Sequence, residues 1–302
     1  MNTSIDVPKQ LIESHGDQYP EWLAALPRLV TEFLGRWSLR REGPVWNGCA
    51  SLVLPVVRQD GTPAALKLQP RTEENAGMAL ALRTWNGDGI VQLLEYDEET
   101  TTQLLERLDE SRPLSTMPDD FAALTVLAEL LARLTAVPAP AGIRSLAGVA
   151  AEMLDETPAA VPGLADPAER QLVRRCAAAT AEVLGEPGDR LLHWDLHYDN
   201  VLAGSREKWL AIDPEPLAGD PGFDLLPALD NRWDDVVDTG DVARAVLHRF
   251  DLMTEVLGLD RQRAYAWSMA RVLQNALWDI QDGETRLQPV QVAIAEALSA
   301  RS

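Results

Sequence analysis

One irregular segment in the second half of the chain holds a dense cluster of chemically versatile side chains. It reads Leu191-Leu192-His193-Trp194-Asp195-Leu196-His197-Tyr198-Asp199-Asn200-Val201-Leu202. Apolar residues bracket the Asp, His and Asn side chains, and buried polar groups need hydrogen-bond partners. A short apolar run over residues 209–212 follows and ends in the carboxylate of Asp213. The segment is therefore the strongest candidate for a functional site.

The residue types and their spacing suit phosphoryl transfer. Asp195 and Asn200 lie five positions apart, and Asp213 stands at the end of a predicted strand. One carboxylate can orient a hydroxyl nucleophile and accept its proton. The amide oxygen and the second carboxylate are the kind of hard oxygen ligand that Mg²⁺ takes. These residues alone indicate metal-assisted transfer of a phosphoryl group.

The pattern His193-x-Asp195-x-x-x-x-Asn200, followed by Ile212-Asp213, resembles the catalytic loop and metal-binding aspartate of the kinase-like superfamily. The form His-x-Asp-Leu-His-x-x-Asn is similar to that of its small-molecule branch, the aminoglycoside phosphotransferases. Further stretches resemble the streptomycin 6-phosphotransferase and hydroxyurea-kinase family: residues 79–87, 195–202, 209–214, 217–224 and 231–234. The similarity runs from about Trp22 to Trp278. The resemblance implies a bilobal, protein-kinase-like α+β fold.

The resemblance also implies roles for individual residues. Asp195 would be the catalytic base, and Asn200 and Asp213 would bind Mg²⁺. The phosphoryl donor would be ATP or GTP, and its binding residues would be Lys67, Glu106 and Leu108. Lys67 would contact the α- and β-phosphates, and the adenine would dock where the lobes join. The enzyme would be a phosphotransferase with an alcohol group as acceptor.

The acceptor would be a small cationic molecule, most simply an aminoglycoside of the streptomycin type. Candidate substrate-binding residues are His197, Asp220, Trp233, Asp234, Trp278 and Asp279. Carboxylates could bind guanidinium or ammonium groups, and an indole offers a cation–π face. A solvated acidic rim explains the same residues, and a hydrogen-bonded loop histidine explains His197. His193 and Asp224 are expected to support the loop.

Four features of the sequence depart from the family pattern. The family often has Gly at the position of Trp194 and Lys at the position of Glu215. A glutamate that pairs with Lys67 is expected on a helix over residues 71–85. Glu73 and Glu74 are available there, but Met78 stands where a further glutamate is expected, just before Ala79-Leu80. The phosphate loop contains only Gly43 and Gly48, whose backbone amides could still cradle phosphate.

Local patterns divide the chain into a β-rich lobe, residues 1–108, and a larger helical lobe, residues 109–302. In the first lobe we predict a helix over 21–33 and hairpins over 51–69 and 90–107. Residues 109–118 read as a linker. In the second lobe we predict helices near 121–137, 144–156, 166–184, 241–257, 260–280 and 286–300, interrupted by an irregular stretch over 186–227.

Composition limits the partners. The 302 residues include 27 Lys and Arg against 47 Asp and Glu, a formal charge of −20. This charge argues against nucleic acid and against anionic membranes. No secretion signal or spanning segment is visible, so we expect a cytoplasmic protein, with a monomer as the default. Cys49 and Cys176 are too few for a disulfide framework.

Four alternatives stay open. The acceptor could be another small molecule, such as hydroxyurea, a choline-like or an amino-acid-like compound. The chain could be a non-catalytic, nucleotide-binding pseudokinase. A zinc site on His193, Asp195 and His197 is conceivable by spacing, but no fourth ligand is evident. An unrelated hydrolase, a Rossmann enzyme or a P-loop enzyme has little support, because their motifs are not found.

Overall fold

A computed structural model describes residues 5–47 and 50–300 of the chain. Gly48 of the predicted phosphate loop and Cys49 lie outside the described residues. The chain forms two compact units, Met1–Gly87 with Val91–Asp109 (unit 1) and Asp88–Ile90 with Glu110–Ser302 (unit 2). Of the helices in the described ranges, none has the length and hydrophobicity that a bilayer crossing requires.

Unit 1 is built around an antiparallel sheet. Its helices are α1 (Lys9–His15), α2 (Pro20–Arg36) and α3 (Met78–Trp85). Its strands are β1 (Arg40–Arg41), β2 (Trp46–Asn47), β3 (Leu52–Val57), β4 (Pro63–Leu68), β5 (Leu93–Tyr96) and β6 (Gln103–Glu106). The strand order is β1-β3-β4-β6-β5, with β2 paired to β3. The two predicted hairpins, β3–β4 and β5–β6, are confirmed.

The core of unit 1 lies between α2 and the sheet. Leu26, Val30 and Phe33 occupy one face of α2 at helical spacing and are fully buried. They belong to one hydrophobic cluster with Leu54 of β3 and Leu66 of β4. The apolar periodicity of the sequence therefore fixes how the helix packs on the strands.

The predicted helix over residues 71–85 is only half helical, because α3 begins at Met78. Ahead of it, Thr72 and Asn75 exchange side-chain and backbone hydrogen bonds, and the Asn75 amide also donates to the carbonyl of Pro70. Such local bonds compete with helix formation. Glu73 and Glu74 thus lie before the helix rather than on it, which corrects the predicted position of a glutamate partner for Lys67.

Unit 2 is mostly helical. Its main helices are α4 (Asp120–Thr135), α5 (Leu146–Ala160), α6 (Pro167–Val183), α7 (Leu226–Asp230), α8 (Trp233–Asp238), α9 (Val242–Leu257), α10 (Arg261–Gln281) and α11 (Pro289–Ser299). Its strands are β7 (Asp109–Pro113, whose first residue belongs to unit 1), β8 (Arg144–Ser145), β9 (Arg190–Leu192), β10 (Val201–Ala203), β11 (Trp209–Ala211) and β12 (Leu217–Gly219). The six predicted helices are present as α4, α5, α6, α9, α10 and α11.

The helix starts follow the local sequence. The side chains of Asp119, Ser145, Asp166, Asp241 and Asp260 each accept a hydrogen bond from a backbone N–H in the first turn of α4, α5, α6, α9 and α10. These caps satisfy N–H groups that have no partner inside the helix. Helix α10 is largely buried, and it packs against α5, α6, α11 and the 3-10 turn Pro221–Leu225.

The predicted linker over residues 109–118 is wrong in its first half. Residues Asp109–Pro113 form β7, which adds to β10 and β11 in a three-stranded sheet. Leu114–Thr116 then form a 3-10 turn. A strand whose partner lies about ninety positions later leaves little signal in its own sequence, and two prolines nearby suggested irregular chain instead.

Candidate functional site

Two antiparallel strand pairs of unit 2 hold the segment that the sequence singles out. β9 pairs with β12, and β10 pairs with β11. The Asp195 loop follows β9 and ends in the 3-10 turn Tyr198–Asn200, directly before β10. The backbone N–H of Ile212 donates to the carbonyl of Asn200 at 2.8 Å. The strands therefore bring Asp213 beside the end of the Asp195 loop.

Asn200 holds the carboxylate of Asp195 in place. Its Nδ2 donates to the Asp195 carbonyl at 2.8 Å and to Oδ2 at 3.1 Å. Burial raises the pKa of Asp195, while His197, Arg271 and the hydrogen bond from Asn200 act in the opposite direction. A half-buried carboxylate with a raised pKa is a stronger proton acceptor than an exposed one.

His193 joins the two halves of the segment. Its ring is fully buried, and Nε2 lies 2.9 Å from the carbonyl oxygen of Ile212. A carbonyl only accepts, so Nε2 carries the proton and donates it. Burial lowers the pKa of His193 to about 3, so the ring is neutral at physiological pH. The histidine links the Asp195 loop to the segment before Asp213.

Asp224 and Trp194 shape the start of the loop. The buried carboxylate of Asp224 accepts hydrogen bonds from the backbone N–H groups of His193 at 2.8 Å and Trp194 at 2.9 Å. Burial raises the pKa of Asp224 to about 7, although both hydrogen bonds oppose this shift. Trp194 has φ 66, in the left-handed region that glycine adopts without strain.

His197 lies on the other side of Asp195. Its Nδ1 accepts a hydrogen bond from the backbone N–H of Asp199 at 3.3 Å, which caps the 3-10 turn. Its Nε2 lies 3.7 Å from Asp195 Oδ2, an ion-pair distance if the ring is protonated. The geometry thus gives His197 a structural role as a cap together with a position beside the Asp195 carboxylate.

A cavity of about 450 Å³ opens beside Asp195 within unit 2. Its described lining residues are Asp195, His197, Leu226, Pro227, Asp230, Asn231, Arg232, Arg271 and Asn275. The lining thus holds two carboxylates and two guanidinium groups. The acidic character expected from the net charge of the chain is therefore balanced inside this cavity.

Several polar groups of the cavity are already engaged within the protein. Asn231 accepts from the Tyr198 N–H at 3.1 Å and donates to the Pro227 carbonyl at 2.7 Å. Arg232 donates to the Met117 carbonyl at 2.8 Å and forms an ion pair with Asp235. Burial raises the pKa of the Asp230 carboxyl to about 6.

The other five predicted substrate residues are not in this lining. Asp220 caps the Pro221–Leu225 turn through the Gly222 N–H and pairs with Arg263 at 2.5 Å, so its carboxylate is engaged within the protein. Its role toward a substrate stays a prediction. Trp233 and the exposed Asp234 begin α8. On α10, the Trp278 ring faces the Arg271 guanidinium at 5.2 Å.

Asp279 follows on the same helix, partly buried, and burial raises its pKa.

Arg271 lines the cavity but was not predicted from the sequence. The available signal was a charged residue and Gln274 within a helix stripe that is otherwise apolar, and a polar side chain at such a position needs a partner or a ligand.

The predicted nucleotide residues belong to unit 1. Lys67 is buried on β4, opposite Val53 of β3 and Gln103 of β6. Glu106 ends β6, and its Oε1 accepts from the Gln92 N–H at 2.8 Å. Leu108 is buried shortly after β6. Their roles toward a nucleotide stay predictions.

The residues predicted to hold Mg²⁺ have suitable donor atoms. Because Nδ2 of Asn200 is engaged by Asp195, its Oδ1 is the atom that remains for a cation. Asp213 adds a carboxylate from a left-handed backbone position, φ 59. This all-oxygen pair fits a hard divalent cation. Across the described ranges, no group of three or more His, Cys, Asp or Glu is placed to hold a metal ion, so the zinc alternative gains no support.

Comparison with solved structures shows the fold. A thermostable mutant of the aminoglycoside phosphotransferase APH(4)-Ia, in a ternary complex with AMP-PNP and hygromycin B, aligns over 91% of this chain and 97% of its own, with a TM-score of 0.60 and 17% identity. The choline kinase LicA from Streptococcus pneumoniae aligns over 91% and 99%, with a TM-score of 0.56 and 10% identity. The predicted bilobal, kinase-like α+β fold is confirmed.

Sequence comparison reaches much higher identity. A streptomycin 6-kinase of Streptomyces glaucescens is 59% identical over 99% of both chains. A hydroxyurea phosphotransferase of Kitasatospora aureofaciens is 56% identical over 99% of this chain and 87% of its own. The model of the aminoglycoside/hydroxyurea antibiotic resistance kinase family matches residues 36–283. The predicted family is confirmed, and the chain belongs to the aminoglycoside/hydroxyurea antibiotic resistance kinases.

Proposed function

We propose that the protein transfers the γ-phosphoryl group of ATP or GTP to a hydroxyl of a small molecule, with an aminoglycoside of the streptomycin type as the acceptor. The observation that carries the proposal is the Asp195 carboxylate, which Asn200 fixes at the edge of a cavity of small-molecule size. The names of the relatives supply the acceptor class.

In the proposed reaction, the acceptor hydroxyl lies against Asp195. The carboxylate orients the hydroxyl and takes its proton as the oxygen attacks the γ-phosphorus and the bond to the β-phosphate oxygen breaks. Such transfer depends mainly on positioning and on charge stabilisation. The raised pKa of Asp195 favours the proton transfer.

Asn200 and Asp213 are the residues that would hold Mg²⁺, which when bound neutralises phosphate charge. Lys67 is the proposed phosphate-binding cation of unit 1. His193 and Asp224 keep the Asp195 loop in register with the segment before Asp213 through the hydrogen bonds described above. A reaction that consumes ATP suits the cytoplasm, which we propose as the location.

A neutral acceptor such as hydroxyurea is the second candidate. The cavity supports it, because the two guanidinium groups of Arg232 and Arg271 offset the carboxylates of Asp195 and Asp230. The cavity therefore does not demand a cationic ligand. The hydroxyurea phosphotransferase relative, at 56% identity, points the same way.

A phosphoryl-transfer screen tests the proposal. The protein is incubated with Mg²⁺ and γ-labelled ATP, and the acceptors are streptomycin, hydroxyurea, choline and a hydroxyl-bearing amino acid. We expect labelled streptomycin from the wild-type protein and labelling that is about 100-fold slower or more in Asp195→Asn. Labelled hydroxyurea alone would favour the second candidate. Binding of ATP without transfer to any acceptor would contradict the proposal and favour a pseudokinase.

A further inference from the structure

Arg271 is a buried cation in the lining of the cavity beside Asp195. Its side chain lies on α10 and only 6% of the residue is exposed. Nη1 donates to Gln274 Oε1 at 2.5 Å. Its Nε is buried and has no hydrogen-bond partner among the described residues. The guanidinium has five N–H donors, so the protein uses only part of its capacity.

Aromatic rings, rather than a carboxylate, hold this guanidinium. Its Cζ lies 5.2 Å from the ring centre of Trp278, 5.6 Å from that of Trp194 and 5.9 Å from that of Phe223. Cation–π contacts of this kind stabilise a desolvated guanidinium. Gln274 Oε1 also accepts from Trp194 Nε1 at 3.1 Å. The side chain is therefore fixed in one orientation without being neutralised.

Within the described residues, no carboxylate oxygen forms an ion pair with Arg271. Asp195, Glu215, Asp224 and Asp230 act on it at longer range. Arg232 in the same cavity differs, since it is paired with Asp235 and donates to a backbone carbonyl. A buried charge without a close counter-ion costs free energy. Contact with a bound ligand group explains the buried position of Arg271 better than a contribution to the stability of the fold does.

We propose that Arg271 determines acceptor specificity by donating hydrogen bonds to a hydroxyl oxygen of the bound acceptor, other than the hydroxyl that receives the phosphoryl group. This inference rests on the proposed function and narrows its substrate class. The acceptor would present an oxygen-bearing edge to Arg271. A cationic group, where the acceptor has one, would face Asp230 instead.

The test is a thermodynamic cycle that combines substitution of Arg271 with removal of one hydroxyl from the ligand. Arg271→Met removes the donors and keeps most of the side-chain volume, and Arg271→Lys keeps one charged donor group. Arg232→Met is the matched control in the same cavity. Dissociation constants are measured calorimetrically, with Mg²⁺ and AMP-PNP present, for hydroxyurea, streptomycin and streptomycin derivatives that each lack one hydroxyl.

We expect Arg271→Met to weaken streptomycin binding by roughly 10- to 100-fold. One derivative should lose no further affinity in this variant, because the missing hydroxyl is the partner of Arg271. Arg271→Lys should recover part of the lost affinity. Arg232→Met should weaken the binding of every ligand by about the same factor, and this factor should be smaller than that for Arg271→Met. The affinity for AMP-PNP should change less than about twofold in folded variants, as checked by thermal unfolding.

An equal loss for every derivative would overturn the inference, since a purely structural arginine predicts it. A fall in kcat with unchanged acceptor binding would also overturn it, because Arg271 would then act on the phosphoryl group. Ligand binding with the expected coupling but without transfer would leave the inference standing and contradict the proposed function. No binding of streptomycin or hydroxyurea to the wild-type protein would contradict both.

Discussion

The side-chain amide of Asn200 donates to Asp195 twice, to the carbonyl at 2.8 Å and to Oδ2 at 3.1 Å. One residue therefore fixes both the backbone and the carboxylate of the proposed base. The same bonds leave the amide oxygen of Asn200 as the atom for a metal ion. The positions of the base and of the proposed metal are thus coupled through a single side chain.

Asn200→Ala should lower kcat by about 100-fold or more, because it removes a proposed metal ligand and releases the Asp195 carboxylate. Asn200→Asp keeps an oxygen ligand but places a second carboxylate beside Asp195. We expect it to bind Mg²⁺ in the presence of nucleotide and still to turn over slowly. Steady-state kinetics across a Mg²⁺ titration measure both effects. Activity of Asn200→Ala within tenfold of wild type would contradict this coupling.

Asp224→Ala should destabilise the protein by about 2–5 kcal/mol, because two buried backbone N–H groups, those of His193 and Trp194, would lose their acceptor. Urea unfolding measures the change. Asp155→Ala, an exposed aspartate on α5, is the matched control and should stay within about 0.5 kcal/mol of wild type. Equal stability of the two variants would show that Asp224 does not brace the loop.

Trp194→Gly tests which of two effects dominates at a left-handed position. Glycine would relieve about 1–2 kcal/mol of backbone strain at φ 66. Losing a buried indole costs about 3–5 kcal/mol, and here it also removes a ring beside Arg271. We expect a net loss of about 1–4 kcal/mol in urea unfolding. A more stable variant would mean that strain outweighs packing.

The affinity for a cationic acceptor should rise as the pH increases through about 6, the raised pKa of Asp230. Below this pH the carboxyl is neutral, and above it the carboxylate attracts the cation. His197, Arg271 and Arg249 face this group and favour its charged form. We expect an increase of about three- to tenfold in streptomycin binding between pH 5 and 7.

The control for the pH dependence is a pair of variants. Asp230→Asn should flatten this part of the pH profile, whereas His197→Gln should keep it. A profile that is unchanged in Asp230→Asn would assign the dependence to another group. Calorimetric titrations at fixed ionic strength give the comparison.

Local signals in the sequence predicted much of the fold. The apolar face of α2, the hairpins and the helices that begin after Asp or Ser depend on neighbouring residues, so they can be recognised without the tertiary structure. β7 was missed because its partner, β10, is distant in the sequence. The start of α3 was misplaced because side-chain bonds of Thr72 and Asn75 displace the first helical turns.

The candidate site likewise contains residues that the local sequence predicts and residues that only the tertiary fold brings together. Asp195, Asn200 and Asp213 were found because they lie in one short, recognisable segment. The cavity was not, since Asp230, Arg271 and Asn275 come from two helices that only the tertiary fold brings together. Proximity to the motif in the sequence therefore did not separate the acidic residues: Asp230 lines the cavity, whereas Asp220 is buried against Arg263.

The most direct test of the account compares Asp195→Asn with wild type in phosphoryl transfer from Mg-ATP to streptomycin. The substitution removes the proton acceptor but keeps the size of the side chain. We predict that kcat falls by about 100- to 10,000-fold while the affinity for nucleotide changes little. Transfer by Asp195→Asn at the wild-type rate, or no transfer to streptomycin or hydroxyurea by the wild-type protein, would contradict the central claim.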